Sequence, residues 1–155
     1  MSQHLPPLRR VDLQIRPGCG QAYTIAVSYS NLDTLGHVNN VAMVRVLEEG
    51  RSRMVADHRL FDGLDGLTPH VVGHQIDYMG ETFYGADTTV SAGVAHVGPT
   101  RIRFLTTARQ GERLVAASII AIELHGHNGT AVPIPQIVRD RLTPLQLSPE
   151  MLAGR

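Results

Sequence analysis

The sequence has almost no cysteine, no run of basic residues and no long apolar stretch. Cys19 stands alone, so no disulfide forms within the chain, which suits a reducing compartment. It precedes Gly20 in a turn cluster, has no partner motif, and reads as incidental. No segment approaches the roughly 20 apolar residues of a membrane span. The first ten residues lack the apolar core of a secretory signal, so the cytoplasm is the expected location. Fourteen basic residues face fourteen acidic ones, which leaves no positive field to hold nucleic acid. The charged fraction is also low, at 18%, as expected if part of the surface is buried between copies of the chain.

What is present is a chain of 155 residues with 43% hydrophobic content, enough for one domain with its own core. Residues 1–20 read as an N-terminal arm with a short strand at Val11, Leu13 and Ile15. The domain proper spans 21–142, and 143–155 is a tail with short helical turns at Thr143-Pro144 and Ser148-Pro149. Tyr23 to Ser30 reads as a strand. A polar loop from Asn31 to Asn40 follows, then a helix from about Asn40 to His58. Val41, Ala42, Met43, Val44, Val46 and Leu47 make its first half apolar nearly all round, which predicts a buried helix. Its second half, with Glu48, Glu49, Arg51, Arg53 and Asp57, should reach solvent. Four strand-length runs come next: Val71 to Met79, Thr88 to Val97, Thr100 to Ala108 and Leu114 to Leu124. The last connections are short, which predicts antiparallel pairing. Pro133-Ile134-Pro135 opens a short helix through Arg141. The class is therefore α+β: one long helix wrapped by an antiparallel sheet of about five strands. Such a sheet has two edges, and pairing them between two copies would satisfy both the edges and the low charge.

The chemistry concentrates in the loop before the helix. Asp33, His37, Asn39 and Asn40 lie within eight residues, at the N-terminus of a helix whose first N–H groups lack partners. Acyl transfer needs a base or nucleophile and donors for the carbonyl oxygen, and both are there. The same residue types also make turns and helix caps for purely local reasons, and spacing alone does not separate the two readings.

The segment Asp33-Thr34-Leu35-Gly36-His37-Val38-Asn39-Asn40, followed by Glu48-Glu49-Gly50-Arg51, resembles the 4-hydroxybenzoyl-CoA thioesterase-like branch of the hotdog superfamily. The likeness continues through Ile76-Asp77-Tyr78, Tyr84-Gly85, Val97 to Arg103 and Pro133-Ile134-Pro135, and so covers about residues 23–142. It implies the hotdog fold and hydrolysis of an acyl thioester carried on coenzyme A or acyl carrier protein. Coenzyme A enters only as part of the substrate, with no other cofactor. It implies Asp33 as catalytic base or nucleophile, the Asn40 backbone N–H as polariser of the carbonyl, and Tyr29 as a site residue. Gly36 and Asn39 shape the substrate site. Plant acyl-carrier-protein thioesterases have an aspartate and a histidine at the positions of Asp33 and His37, but an asparagine where this chain has Leu35. The resemblance also implies a homodimer or homotetramer whose pocket depth, at the subunit interface, sets the acyl chain.

Other candidates are weaker in signal. Glu48 and Glu49 match a helix glutamate used by some hotdog thioesterases, and equally a solvated pair facing Arg51 and Arg53. Thr100, Arg101 and Arg103 are candidates for the coenzyme A phosphates, with both arginines on one sheet face. His70 and His74 would share a strand face about 13 Å apart, too far for one metal, and no metal motif is present. A hotdog hydratase is disfavoured because its histidine follows the aspartate by five positions, whereas here 37 − 33 = 4. A non-catalytic acyl-CoA-binding protein is disfavoured by the presence of Asp33.

Overall fold

The structure, a computed structural model, describes residues 20–148. The arm with its expected strand, Cys19, and the tail from Pro149 lie outside the described residues. Five strands form one antiparallel sheet in the order β1-β3-β4-β5-β2. They are β1 Gln21–Ile25, β2 Thr68–Tyr78, β3 Thr88–Val97, β4 Arg101–Gln110 and β5 Arg113–His125. A long helix, α1 (Asn40–Asp57), packs on one face, and α2 (Gln136–Leu142) closes the far end. This is the α+β arrangement expected from the order of elements, and it is the hotdog architecture that the family resemblance implies. None of the described helices is long and apolar enough to cross a membrane.

The sheet face under α1 follows the alternation of a strand. Ile102, Phe104 and Ala108 of β4 and Ile120, Ile122 and Leu124 of β5 are buried beneath the helices. Their neighbours Arg101, Arg103, Ala121 and Glu123 point to the other face. On α1 the buried residues are Ala42, Met43, Val46, Leu47, Gly50 and Met54, which recur at three and four positions. The helix is therefore buried on one face and not all round, and its uncovered side still carries apolar residues. Val41 is 69% exposed, because a single sheet covers only one side of a helix. Gly50 lets helix and sheet approach closely: a Cβ there would lie 2.3 Å from Cγ1 of Val90 on β3.

Two other expectations are corrected. The strand read as Tyr23 to Ser30 ends at Ile25, and Tyr29–Asn31 forms a 3₁₀ turn. Ser28 and Asn31 exchange side-chain and backbone hydrogen bonds, with Ser28 N–H donating to Asn31 Oδ1 at 2.8 Å, and these local bonds outcompete extension of the strand. His70 and His74 do not share a face. A register shift between Val71 and Gly73 sets His70 opposite Glu123 on the outer face and His74 opposite Ile120 on the helix face.

The two sheet edges differ. β1 is short, and beyond it Gln146 bridges Val94, with Leu147 N–H donating to Val94 O at 2.9 Å. The chain itself thus covers the part of β3 that β1 leaves open. The other edge, β2, is 11 residues long, and Val71, Val72 and Tyr78 on it are exposed.

Candidate active site

The loop between β1 and α1 is a tight turn built on one carboxylate. Asp33 N–H donates to His37 O at 2.8 Å, and Gly36 N–H donates to Asp33 O at 3.1 Å. Gly36 sits at φ +77°, a conformation glycine adopts without penalty. The Asp33 side chain fills the turn: Oδ1 accepts from Leu35 N–H at 2.8 Å and from His37 N–H at 3.1 Å. Oδ2 takes no hydrogen bond among the described residues. Asp33 is thus a turn-former through one oxygen and offers the other to the space beside it. The local reading is realised on Oδ1, and Oδ2 is left over from it.

Asn39 and Asn40 divide the work in the same way. Asn39 caps α1, its Oδ1 accepting from Val41 N–H at 2.8 Å. Asn40 is the first helical residue, and its N–H donates to nothing among the described residues. That leaves a backbone donor at the positive end of the helix macrodipole. Tyr78 at the end of β2 reaches across, its hydroxyl donating to Asn40 O at 3.1 Å.

The opposite wall is a strap, residues 80–87, between β2 and β3. Thr82 O accepts from Val38 N–H at 2.8 Å, and His37 and Phe83 form an antiparallel bridge. The His37 ring stands edge-on to Phe83 at 5.4 Å. Its Nδ1 lies 3.5 Å from Glu81 Oε1. Arg113 crosses behind, its guanidinium 5.4 Å from the Phe83 ring centre and donating to Glu81 O at 2.6 Å. The buried Gln110 fixes the strap to β4, accepting from Phe83 N–H at 3.0 Å and donating to Phe83 O at 2.8 Å. Glu81 is a site residue that the sequence did not single out. It is one carboxylate in a turn, with no motif about it, and only the strap brings it to His37.

Asp33, His37 and Asn40 line one cavity of about 110 Å³, with Met43, Tyr78 and Val115 among its walls. The structure therefore brings these three sequence candidates together. Tyr29 is not on the cavity wall. It is 75% exposed and lies edge-on to Tyr84 at 5.9 Å. Leu35 and Val41, on the same loop and helix start, and Phe83 and Tyr84 on the strap, are also exposed. This is a concentration of apolar side chains that lone monomers seldom leave in water.

Thr100, Arg101 and Arg103 lie at the other end of the sheet. Val115 of β5 lines the cavity and Glu123 of β5 pairs with Arg101; their separation, 123 − 115 = 8 residues, is ~26 Å of strand. Arg101 donates to Glu123 Oε1 at 2.9 Å through Nε and at 2.6 Å through Nη2. Burial opposes the charge on Glu123, and hydrogen bonds from Arg101 and His125 outweigh it and hold its carboxyl below the usual range. Within one chain these arginines do not meet Asp33. Glu48 pairs at 2.7 Å with Arg51, whose side chain is largely buried, and Glu49 pairs with Arg53 on the exposed helix surface. No group of three or more His, Cys, Asp or Glu side chains among the described residues is placed to hold a metal.

Comparison with known proteins places this geometry. Residues 27–142 match the family model described as the thioesterase-like superfamily. No curated protein matches the sequence. Among solved structures, a thioesterase-superfamily protein of Jannaschia superposes with a TM-score of 0.78 at 11% identity, covering 86% of this chain and 97% of that one. A Thermus thermophilus thioesterase complexed with coenzyme A and zinc gives 0.69 at 21% identity, covering 86% and 94%. A 1,4-dihydroxy-2-naphthoyl-CoA thioesterase of Synechocystis gives 0.71 at 14% identity, covering 80% and 96%. At these identities the superpositions show a common fold.

Proposed function

The chain belongs to the thioesterase-like superfamily, and from that premise we propose that it hydrolyses an acyl thioester of coenzyme A or acyl carrier protein, in the manner of the 4-hydroxybenzoyl-CoA thioesterase-like branch. The observation that carries this reading is that Asp33, whose Oδ2 accepts no hydrogen bond among the described residues, and Asn40, whose N–H donates none among them, line one cavity. The complex of the Thermus protein with coenzyme A supports the carrier.

In this reading the thioester carbonyl oxygen receives the Asn40 N–H, where charge developing on that oxygen meets the helix N-terminus. Asp33 Oδ2 takes the proton of a water whose oxygen bonds to the carbonyl carbon, or attacks that carbon itself and is then released by water. The intermediate collapses, the C–S bond breaks, and its electron pair leaves with sulfur. The proton taken up by the enzyme ends on the thiolate, and the products are the acid and the thiol. His37 lies at the same cavity, with its Nδ1 3.5 Å from Glu81 Oε1 and its ring edge-on to Phe83, contacts that orient the ring.

The working unit in this reading is a dimer joined through β2. This edge is long and carries exposed Val71, Val72 and Tyr78, whereas the β1 edge is partly covered. Antiparallel pairing of two β2 edges sets the Arg101 end of one sheet beside the Asp33 end of its partner. Light scattering at micromolar concentration is expected to give twice the chain mass or more; a single-chain mass would refute the shared site.

The test of the activity is release of free thiol from a panel of acyl-CoAs, run in parallel on acyl carrier protein thioesters. Turnover that depends on enzyme concentration is expected on at least one carrier. Binding of acyl-CoA without thiol release would instead identify a binding module.

A further inference from the structure

We infer that Arg51 reads a neutral oxygen on the acyl group of a thioester cleaved at the partner's Asp33, an inference that rests on the thioesterase reading and the β2 dimer above. Arg51, on α1, lines a second cavity of about 410 Å³, together with Val55, Phe61, Val71 and Ile122 among others. Its side chain is 11% exposed. Only Nη2 forms a hydrogen bond among the described residues, to Glu48 Oε2 at 2.7 Å, and Nε is buried without a partner. A guanidinium offers five N–H donors in a rigid fork, so this one is largely unmet. Burying a cation in that state is costly, and an acceptor from outside the chain lowers the cost. Charge decides the kind of acceptor. Glu48 already neutralises Arg51, and Asp62, paired with Arg59, also lines the cavity. Burial holds the nearby His74 below its usual pKa, so it adds no positive charge at neutral pH. A further carboxylate would leave a net negative charge there, whereas a hydroxyl or keto oxygen would not.

Strand register places this cavity. Val71 of β2 pairs with Ile122 of β5, and Ile122 pairs with Ile102 of β4, next to the row of His70, Glu123 and Arg101. The cavity is thus at the Arg101 end of the sheet, on the face that carries α1. Tyr78, which lines the Asp33 cavity, is 78 − 71 = 7 residues further along β2, ~23 Å of strand. One chain therefore keeps its Arg51 cavity and its Asp33 cavity toward opposite ends of β2. A two-fold axis that pairs two antiparallel β2 strands runs perpendicular to the sheet, so both α1 helices lie on one face. Full-length pairing of Thr68–Tyr78 with its copy centres that axis on Gly73 and sets Tyr78 opposite the partner's Thr68. Pro69, next to Thr68, lines the Arg51 cavity. The cavities that meet across the seam are then the Asp33 cavity of one chain and the Arg51 cavity of the other.

The experiment measures kcat/KM by thiol release for ω-hydroxyacyl-CoAs from butanoyl to decanoyl, each beside its unsubstituted and its ω-carboxy counterpart. The parent is expected to prefer at least one ω-hydroxy substrate over its unsubstituted counterpart by about tenfold or more, because a buried polar group rejects an analogue that leaves it unpaired. Arg51→Met is expected to bring that ratio to within about twofold of unity. Arg51→Lys, which keeps the charge and loses the fork, is expected to lower it by less. Circular dichroism and light scattering check that each variant folds and dimerises; if Arg51→Met does not, Arg51→Lys decides. A heterodimer of an Arg51→Met chain and an Asp33→Asn chain, purified through two different tags, shows which site Arg51 serves. Its hydrolysis comes from the Asp33 of the Arg51→Met chain. That site is expected to show the parent's ratio, since the partner supplies Arg51. The Arg51→Met ratio in its place would put Arg51 at its own chain's site and overturn the inference. A parent indifferent to the hydroxyl, a preference for the ω-carboxy series, or an unchanged ratio in the folded variants overturns it too, and each leaves the thioesterase reading intact. Absence of hydrolysis on every substrate refutes that reading and this inference with it.

Discussion

Asp33→Asn is expected to lower kcat/KM for thioester hydrolysis by on the order of a thousandfold or more while the protein stays folded. The two effects separate because the two carboxylate oxygens do different jobs. Oδ1 accepts from the N–H groups of Leu35 and His37 and so holds the turn. An asparagine oxygen can accept the same two bonds, so the loop and the start of α1 keep their shape. The amide nitrogen then stands where Oδ2 was, and an amide neither takes a proton from water nor attacks a thioester. Kinetics on one acyl-CoA, with circular dichroism of both proteins, are the check. Activity within about tenfold of the parent, with an unchanged spectrum, would show that Asp33 is only a turn-former.

His37→Ala is expected to cost between about tenfold and a thousandfold, always less than Asp33→Asn. That is about 1.4 to 4 kcal/mol of barrier. The turn survives, because the bonds it draws from residue 37 come from the backbone: the N–H to Asp33 Oδ1 and the carbonyl from Asp33 N–H. What is lost is the imidazole, with its edge-on contact to Phe83 and its approach to Glu81. A neutral imidazole there can orient the carboxylate's water or pass a proton to sulfur, but a thiolate leaves readily without that help. Leu35 stands between Asp33 and His37 and its side chain forms no hydrogen bond, so a relay through a residue 35 amide is absent. Both variants are to be measured on the same substrate. If the folded His37→Ala enzyme is the more damaged of the two, the roles assigned to Asp33 and His37 are reversed.

Much of the fold was legible because it depends on patterns that repeat locally. β3 occupies Thr88–Val97 as read, and α1, β4 and β5 differ from the reading by one or two residues at their ends. Strand alternation, Gly-containing turns and the asparagine cap are set by neighbours in sequence. The misreadings arose where a non-local or side-chain effect overrode the pattern. The strand at Tyr23 was drawn too long because Ser28 and Asn31 close a 3₁₀ turn with their own side chains. The helix was read as buried all round because Val41 and Val44 are apolar. Which apolar residues are covered depends on where the sheet lies, and one chain has only one sheet.

For the site, the sequence by itself determined a turn at Asp33 and a helix start capped by Asn39 or Asn40, since each is made within a few residues of chain, and the structure places the cap on Asn39. The family likeness carried by the same residues gave that geometry its chemical meaning. Only the tertiary structure decided what faces it. Glu81 reaches His37, and Gln110 holds the strap, from positions 44 and 73 residues away (81 − 37 and 110 − 37). Met43 and Val115 close the cavity from two elements with no sequence relation. Arg101 and Arg103, the expected phosphate contacts, lie toward the far end of the sheet from the Asp33 cavity, Arg101 ~26 Å along it and Arg103 ~20 Å. Local hydrogen bonds write a turn into a sequence, whereas the distance between two strands depends on how the whole chain packs.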